Sequence, residues 1–263
     1  LILRFIKIRG IMERHIKKIK LLFNKKNNSI YSGLYNTWSE AEKNSSKKQG
    51  YANKKYDNRS LKKFTVNEKY TIGRNMIVPI ISATLKTDNF TILDIGGGVN
   101  SVFSHLSSSK APLGLCYVLE RDEVASKFNN LVPSQHSNVL KYISDVKSIS
   151  HNALDIIYFG SSVQYIANYK TLIQSLIEFN PKYIIFSESI FTEIPNDIWV
   201  LQQNMGSDTF PNLFISEKKF IYFMKKNGYT CDLNFCIPGD HSHDQIDRKQ
   251  YECKTLIFVK KIL

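Results

Sequence analysis

The alternation of apolar and polar positions divides the chain into short buried runs separated by helical stretches. Residues 91–95 (Thr-Ile-Leu-Asp-Ile), 114–119, 139–143, 154–159 and 183–186 are apolar runs of strand length, rich in β-branched and aromatic residues. Between them, helical spacing predicts a helix through Val102, Phe103 and Leu106, another over residues 122–130, and a third from Tyr169 to Phe179, closed by Pro181. Strands alternating with helices imply a parallel sheet covered on both faces. A further helix opens at Ser216 and ends at Asn227, with Gly228 just past it, and two last strands follow over 229–237 and 254–260.

The rhythm breaks elsewhere. Residues 1–28 alternate apolar groups such as Phe5, Ile16 and Leu22 with Arg4, Lys17 and Lys20, as a basic amphipathic helix would. Residues 29–61 mix Tyr31, Tyr35, Trp38 and Tyr51 with polar residues, and Thr37 with Glu40 three positions on predicts a short capped helix. Aromatic residues in such a segment either cover a pocket or pin the segment to a core. From Lys69 to Leu85 a helical pattern runs through Pro79, which should kink or split it. Residues 190–214 read as an irregular aromatic-rich insertion around Trp199 and Phe210. The domain reading is therefore a basic helical extension (1–28), an aromatic lid or linker (29–61) and a main domain (62–263).

Composition narrows the function classes. With 263 residues, 43% hydrophobic, the chain can bury a sizeable core. The net charge of +13 comes from lysines spread along the chain, and no RNA-binding module is recognisable, so no nucleic-acid partner is expected. The basic stretch 1–26 is the exception, and it fits either an anionic membrane surface or packing against the domain. Cys116, Cys231, Cys236 and Cys253 form no C-x-x-C pair, which suits a reducing cytoplasm. No window reaches the roughly 18 apolar residues of a spanning helix, and no secretion signal is expected. His241-Ser242-His243-Asp244 lacks a third ligand set and reads as a surface loop, so no metal is expected.

The candidate chemistry collects at the ends of the strands, where open parallel sheets bind their ligands. Asp94 stands at the end of its run, before Gly96-Gly97-Gly98. Read as a dinucleotide fingerprint, the third small residue is replaced by Ser101. A pyrophosphate at a helix N-terminus would also meet the carboxylate of Asp94. A sulfonium cation suits that carboxylate better. Glu120, 26 positions on, ends the next run and can accept both hydroxyls of a ribose. Asp145, with Val146 beside it, can meet an adenine amino group while its apolar neighbour covers the ring. Gly160-Ser161-Ser162-Val163-Gln164-Tyr165 turns near the reactive end of such a ligand.

These residues together resemble the class I S-adenosylmethionine (SAM)-dependent methyltransferases. Asp94-Ile95-Gly96-Gly97-Gly98 is similar to that family's first motif, Glu120 to its ribose acid and Asp145 to its adenine-side residue. The resemblance implies a Rossmann-like α/β fold of seven mostly parallel strands flanked by helices, closed by an antiparallel C-terminal hairpin and here carrying the N-terminal helical extension. It implies SAM as cofactor, with Gly160, Ser161 and Val146 completing its site. A narrower resemblance runs through Tyr31-x-Gly33, Tyr35, Trp38-Ser39-Glu40-Ala41, Gly50-Tyr51 and Ser161-Ser162-Val163-Gln164-Tyr165 to a bacterial group of methyltransferases met among genes for surface-polysaccharide assembly. It implies methyl transfer to an oxygen or nitrogen of a small-molecule or glycan acceptor. The first 28 residues lie outside it, and Ser187-Glu188-Ser189 is shorter than the polar pattern that group carries after its fifth strand. Glu188 and Tyr165 are the candidate catalytic residues, and Trp38, Tyr51, Gln164 and Trp199 the candidate acceptor contacts. The expected location is the cytoplasm, at the inner face of the membrane if residues 1–26 bind lipid. The competing readings are an NAD-dependent nucleotide-sugar oxidoreductase and a membrane-peripheral scaffold without catalysis.

Overall fold

The computed structural model describes residues 30–46, 85, 89–98, 102–108, 112–149, 154–204, 208–236 and 251–261. The basic extension 1–28, Tyr51, the helix expected from Lys69 (all but Leu85) and the His241/His243 loop lie outside the described residues. In chain order the elements are β1 (Tyr31–Tyr35), α1 (Trp38–Asn44), β2 (Phe90–Ile95), α2 (Val102–Ser108), β3 (Leu113–Leu119), α3 (Asp122–Asn129), β4 (Leu140–Ile143) and β5 (Ile156–Gly160). Then come α4 (Tyr169–Ile177), β6 (Tyr183–Thr192), β7 (Ile198–Asn204), β8 (Asp208–Ser216), α5 (Glu217–Lys226), β9 (Tyr229–Cys236) and β10 (Tyr251–Lys260). They fall into two compact units.

The larger unit draws its described residues from 85–189, 221–236 and 253–261. Its strands β4, β3, β2, β5 and β6 pair in that order, all parallel. β10 joins on β6, and β9 pairs antiparallel with β10. The Lys260 N–H donates to the carbonyl of Lys182 and the Thr255 hydroxyl meets that of Ser187, so β10 runs opposite to β6. The expected seven-stranded, mostly parallel sheet with a closing antiparallel pair is therefore present. Its central strands are apolar on both faces because both are covered. One face packs Phe90, Ile92, Cys116, Val118 and Ile156 against Val102 and Leu106 of α2 and Val124 and Phe128 of α3. Phe159 and Phe186 stack at 4.7 Å, and Phe258 meets Phe186 edge-on.

Register lines up the strand ends. Ile95 pairs with Leu119 and Leu119 with Ile143, while Gly160 pairs with Ser187. The residues that follow (Gly96, Glu120, Ser144-Asp145, Ser161 and Glu188) thus share one edge.

The smaller unit draws its described residues from 30–46, 190–220 and 251–252. β1 and β8 flank β7, both antiparallel to it, and the end of β8 runs parallel with Phe191 and Thr192. Tyr31, Ile190, Val200 and Phe214 form its core, with Tyr251 edge-on to Tyr31. Thr37 caps α1 as the spacing predicts: its hydroxyl accepts from the Glu40 N–H at 3.2 Å, and Glu40 reaches back to the Asn36 N–H at 2.9 Å.

Two expectations are corrected. The fifth strand does not stop at Ser187 but continues to Thr192. Polar Ser187, Glu188 and Ser189 looked like a strand end, yet all three are buried. The serine hydroxyls are satisfied locally: that of Ser189 donates to the Ser187 carbonyl, and that of Ser187 meets Thr255. The stretch 190–214 is not irregular either. It completes β6 and forms the β7–β8 hairpin, whose Gln202, Pro211 and Asn212 had hidden the strand pattern.

Candidate functional site

The glycine turn is braced from beneath. Asp94 is 1% exposed, and its carboxylate accepts from the Val102 N–H at 2.8 Å, satisfying a donor at the first turn of α2. A Cβ at Gly97 would collide with that carboxylate, so the backbone crosses directly over it. Gly96 and Gly98 have φ of +68° and +55°, a left-handed turn that glycine adopts without strain. Gly96 itself is exposed at the surface of the turn.

Glu120 holds the turn from the next strand. Its carboxylate accepts from the Gly98 N–H at 2.9 Å, and the Tyr142 hydroxyl donates to the Gly98 carbonyl at 3.1 Å. Burial pushes the Tyr142 hydroxyl well above the ordinary phenol range, and Cys116, Asp94 and Glu120 act in the same direction. Tyr142 was not among the candidate residues. No local pattern in the sequence marks it, because its partner lies 44 positions away.

Asp145 is exposed and uses one carboxylate oxygen to cap the turn Val146–Ser148, accepting from the Lys147 N–H at 2.9 Å. Val146 lies half-buried beside it. On the other side of the glycine turn, Ser162 sits against Gly96: its Cβ lies 3.1 Å from where a Gly96 side chain would begin. Gln164 is buried and donates its amide N–H to the Ser161 hydroxyl at 3.1 Å. Tyr165 is half-buried, with its backbone N–H on the Ser162 carbonyl.

Two non-glycine residues on this edge carry left-handed backbone, Ser161 at φ +56° and Glu188 at +51°. They end or interrupt adjacent strands, and the Ser161 N–H donates to the Ser187 carbonyl at 2.8 Å. Such conformations cost about 1–2 kcal/mol each and persist where surrounding contacts impose them. The bend falls at Glu188, a buried residue that follows the Gly160–Ser187 pair along β6.

The larger unit thus brings together Asp94, Gly96, Gly97, Gly98, Glu120, Asp145, Val146, Gly160, Ser161, Gln164, Tyr165 and Glu188. Trp38 and Trp199 belong to the smaller unit, where their rings meet edge-on at 5.0 Å. Tyr51 lies outside the described residues.

No family model and no curated protein matches the chain. Solved structures do. A SAM-dependent methyltransferase from Clostridium acetobutylicum aligns at 12% identity over 79% of this chain and 98% of its own, with a TM-score of 0.52. The fold is that of the SAM-dependent methyltransferases. Magnesium protoporphyrin IX methyltransferase from Synechocystis, solved with bound S-adenosylhomocysteine, aligns at 11% identity over 81% and 98% of the two chains, with a TM-score of 0.50. The glycopeptide N-methyltransferase MtfA, solved with SAM, aligns at 10% over 74% and 96%, with a TM-score of 0.51.

Proposed function

We propose that this methyltransferase-fold chain is an enzyme that transfers a methyl group from SAM to an oxygen or nitrogen of a small-molecule or glycan acceptor, in surface-polysaccharide synthesis. The observation that carries the reading is the carboxylate-braced glycine turn of Asp94–Gly98, with Glu120 bonded to it from the neighbouring strand end. The chemistry of the donor set fits the cofactor. The turn is built of small residues, Glu120 offers a carboxylate to ribose hydroxyls, and acidic Asp94 favours a cationic ligand over a pyrophosphate.

In this reading Asp145 and Val146 hold the adenine, Glu120 the ribose, and Gly96–Gly98, Gly160 and Ser161 line the rest. When bound, SAM supplies an electrophilic methyl group on a sulfonium. Glu188 accepts the proton that the acceptor's O–H or N–H gives up, which keeps a lone pair available on the nucleophile. Tyr165 orients the acceptor through its hydroxyl. Much of the rate then comes from fixed positioning, to which the strained backbone at Glu188 and Ser161 contributes. The cellular place we infer is the cytoplasm, with the basic stretch 1–26 resting on anionic lipid. The test is transfer of a radiolabelled methyl group from SAM to a panel of sugar nucleotides and oligosaccharides. Label recovered on the glycan supports the reading, and label recovered only on RNA or on anionic lipid overturns its acceptor.

A further inference from the structure

The larger unit gathers five lysines at the edge of its sheet opposite the candidate site. Backbone bonds tie them together. The Lys260 N–H donates to the Lys182 carbonyl at 3.0 Å, the Lys261 N–H to the Gly228 carbonyl at 2.9 Å, and the Gly228 N–H to the Lys225 carbonyl at 3.2 Å. Lys182 thus leads into β6, Lys260 ends β10 with Lys261 after it, and Lys225 and Lys226 end α5. Tyr183, where β6 begins, lies four steps before Ser187 at the other edge, about 13 Å along the strand.

Lys182, Lys225, Lys226 and Lys261 are exposed, and Lys260 is half-buried. Among the described residues, no carboxylate forms an ion pair with any of the five. Asp155 meets the group through its carbonyl, which accepts from the Lys182 N–H at 2.9 Å, but its carboxylate is bonded to the Thr91 N–H at 2.8 Å. Glu178, exposed after the end of α4, is the other acid near Lys182 in sequence. Cations suit the carbonyl end of a helix, which accounts for Lys225 and Lys226 but not for Lys182, Lys260 and Lys261. Positive charge collected at one edge without local compensation attracts an anionic partner.

The tyrosines say which kind. Tyr222 is 58% exposed, with Lys226 Nζ 4.9 Å from its ring centre, and Lys182 Nζ lies 5.5 Å from that of Tyr183. An exposed tyrosine among lysines suits the headgroup level of a bilayer, where one end of the ring is apolar and the other wet. A nucleic-acid surface favours arginine forks and open aromatic faces for stacking. Here all five cations are lysine, and each ring has a face taken by its own lysine.

We propose that this edge docks on an anionic membrane leaflet, with the ammonium groups on lipid phosphates and carboxylates and Tyr222 at headgroup level. The surface is separate from the basic stretch 1–26 and does not depend on the SAM reading. Docked in this way, the edge that carries Asp94 and Glu120 points away from the lipid.

The test is sedimentation of the full chain with vesicles of phosphatidylcholine containing about 30% phosphatidylserine, against vesicles of phosphatidylcholine alone. Each lysine near an anionic leaflet strengthens binding about fivefold. The expected result is binding to the mixed vesicles only, weakened about 25-fold in Lys225→Gln/Lys226→Gln. The charge-matched pair Lys43→Gln/Lys141→Gln, also exposed, should stay within twofold of the parent. Thermal unfolding confirms that both double variants fold. No binding to the mixed vesicles overturns the proposal. So does undiminished binding by Lys225→Gln/Lys226→Gln, as residues 1–26 alone would give, or an equal loss in both pairs, as net charge alone would give. Tighter binding to single-stranded poly(U) than to the vesicles, lost in Lys225→Gln/Lys226→Gln, overturns it in favour of nucleic acid.

Discussion

The carboxylate of Glu120 accepts a hydrogen bond from the backbone N–H of Gly98 at 2.9 Å, so the residue expected to bind ribose also shapes the glycine turn. These two duties separate by substitution. Glu120→Gln keeps a carbonyl that can accept from Gly98 but loses the charge. Its thermal stability is expected to stay within about 0.5 kcal/mol of the parent, while S-adenosylhomocysteine affinity falls about tenfold. Glu120→Ala loses both, at about 1–2 kcal/mol of stability. Denaturant unfolding and calorimetry on the same two variants check the split.

Gly97→Ala is the harshest single change in the turn. Its added methyl group would meet the Asp94 carboxylate, which is buried and bonded to Val102. A cost of about 1–3 kcal/mol is expected, as for overpacking in a tight interior. Urea unfolding reads it directly, and a change under 0.5 kcal/mol would mean that the carboxylate can swing away.

Tyr142→Phe removes the bond to the Gly98 carbonyl, at about 1 kcal/mol near neutral pH. The Tyr142 hydroxyl is raised far above the usual phenol value of about 10 by burial. The folded state therefore favours the protonated form. Its contribution is full below about pH 10 and declines above it, because the unfolded chain ionises first. The stability gap between parent and variant should hold up to about pH 10 and shrink as the pH rises above it. Tyr229, pushed up to about 12 by burial, is present in both and cancels in the difference.

Glu188 sits at φ +51°, where glycine is at ease. Glu188→Gly relieves about 1–2 kcal/mol of backbone strain against about 0.5–1 kcal/mol of added chain entropy. These backbone terms nearly cancel, and S-adenosylhomocysteine affinity, read by calorimetry, is expected to stay within twofold of the parent, because the carboxylate is assigned to the acceptor. Loss of nucleoside binding would move Glu188 to the cofactor.

Much of this was legible in the chain itself, for physical reasons. The strands flanked by α2, α3 and α4 announce themselves because both faces are buried and each run is nearly all apolar. The glycine turn is legible because the left-handed backbone at Gly96 and Gly98 favours glycine. The β7–β8 hairpin was not, because β7 pairs with Tyr31–Tyr35, more than 160 positions away, and because polar Asn212 is buried in the hairpin, its side-chain amide donating to Gln202. The bracing by Tyr142 was equally silent, since it depends on a contact across 44 positions that no local pattern encodes.

The central claim is that the glycine turn receives a sulfonium nucleoside. Thermal unfolding of the full chain with S-adenosylhomocysteine or with NAD(H) tests it most directly. The account predicts a rise in Tm with S-adenosylhomocysteine, none with NAD(H), and a smaller rise in Glu120→Gln at the same ligand concentration. A rise with NAD(H) alone would contradict it.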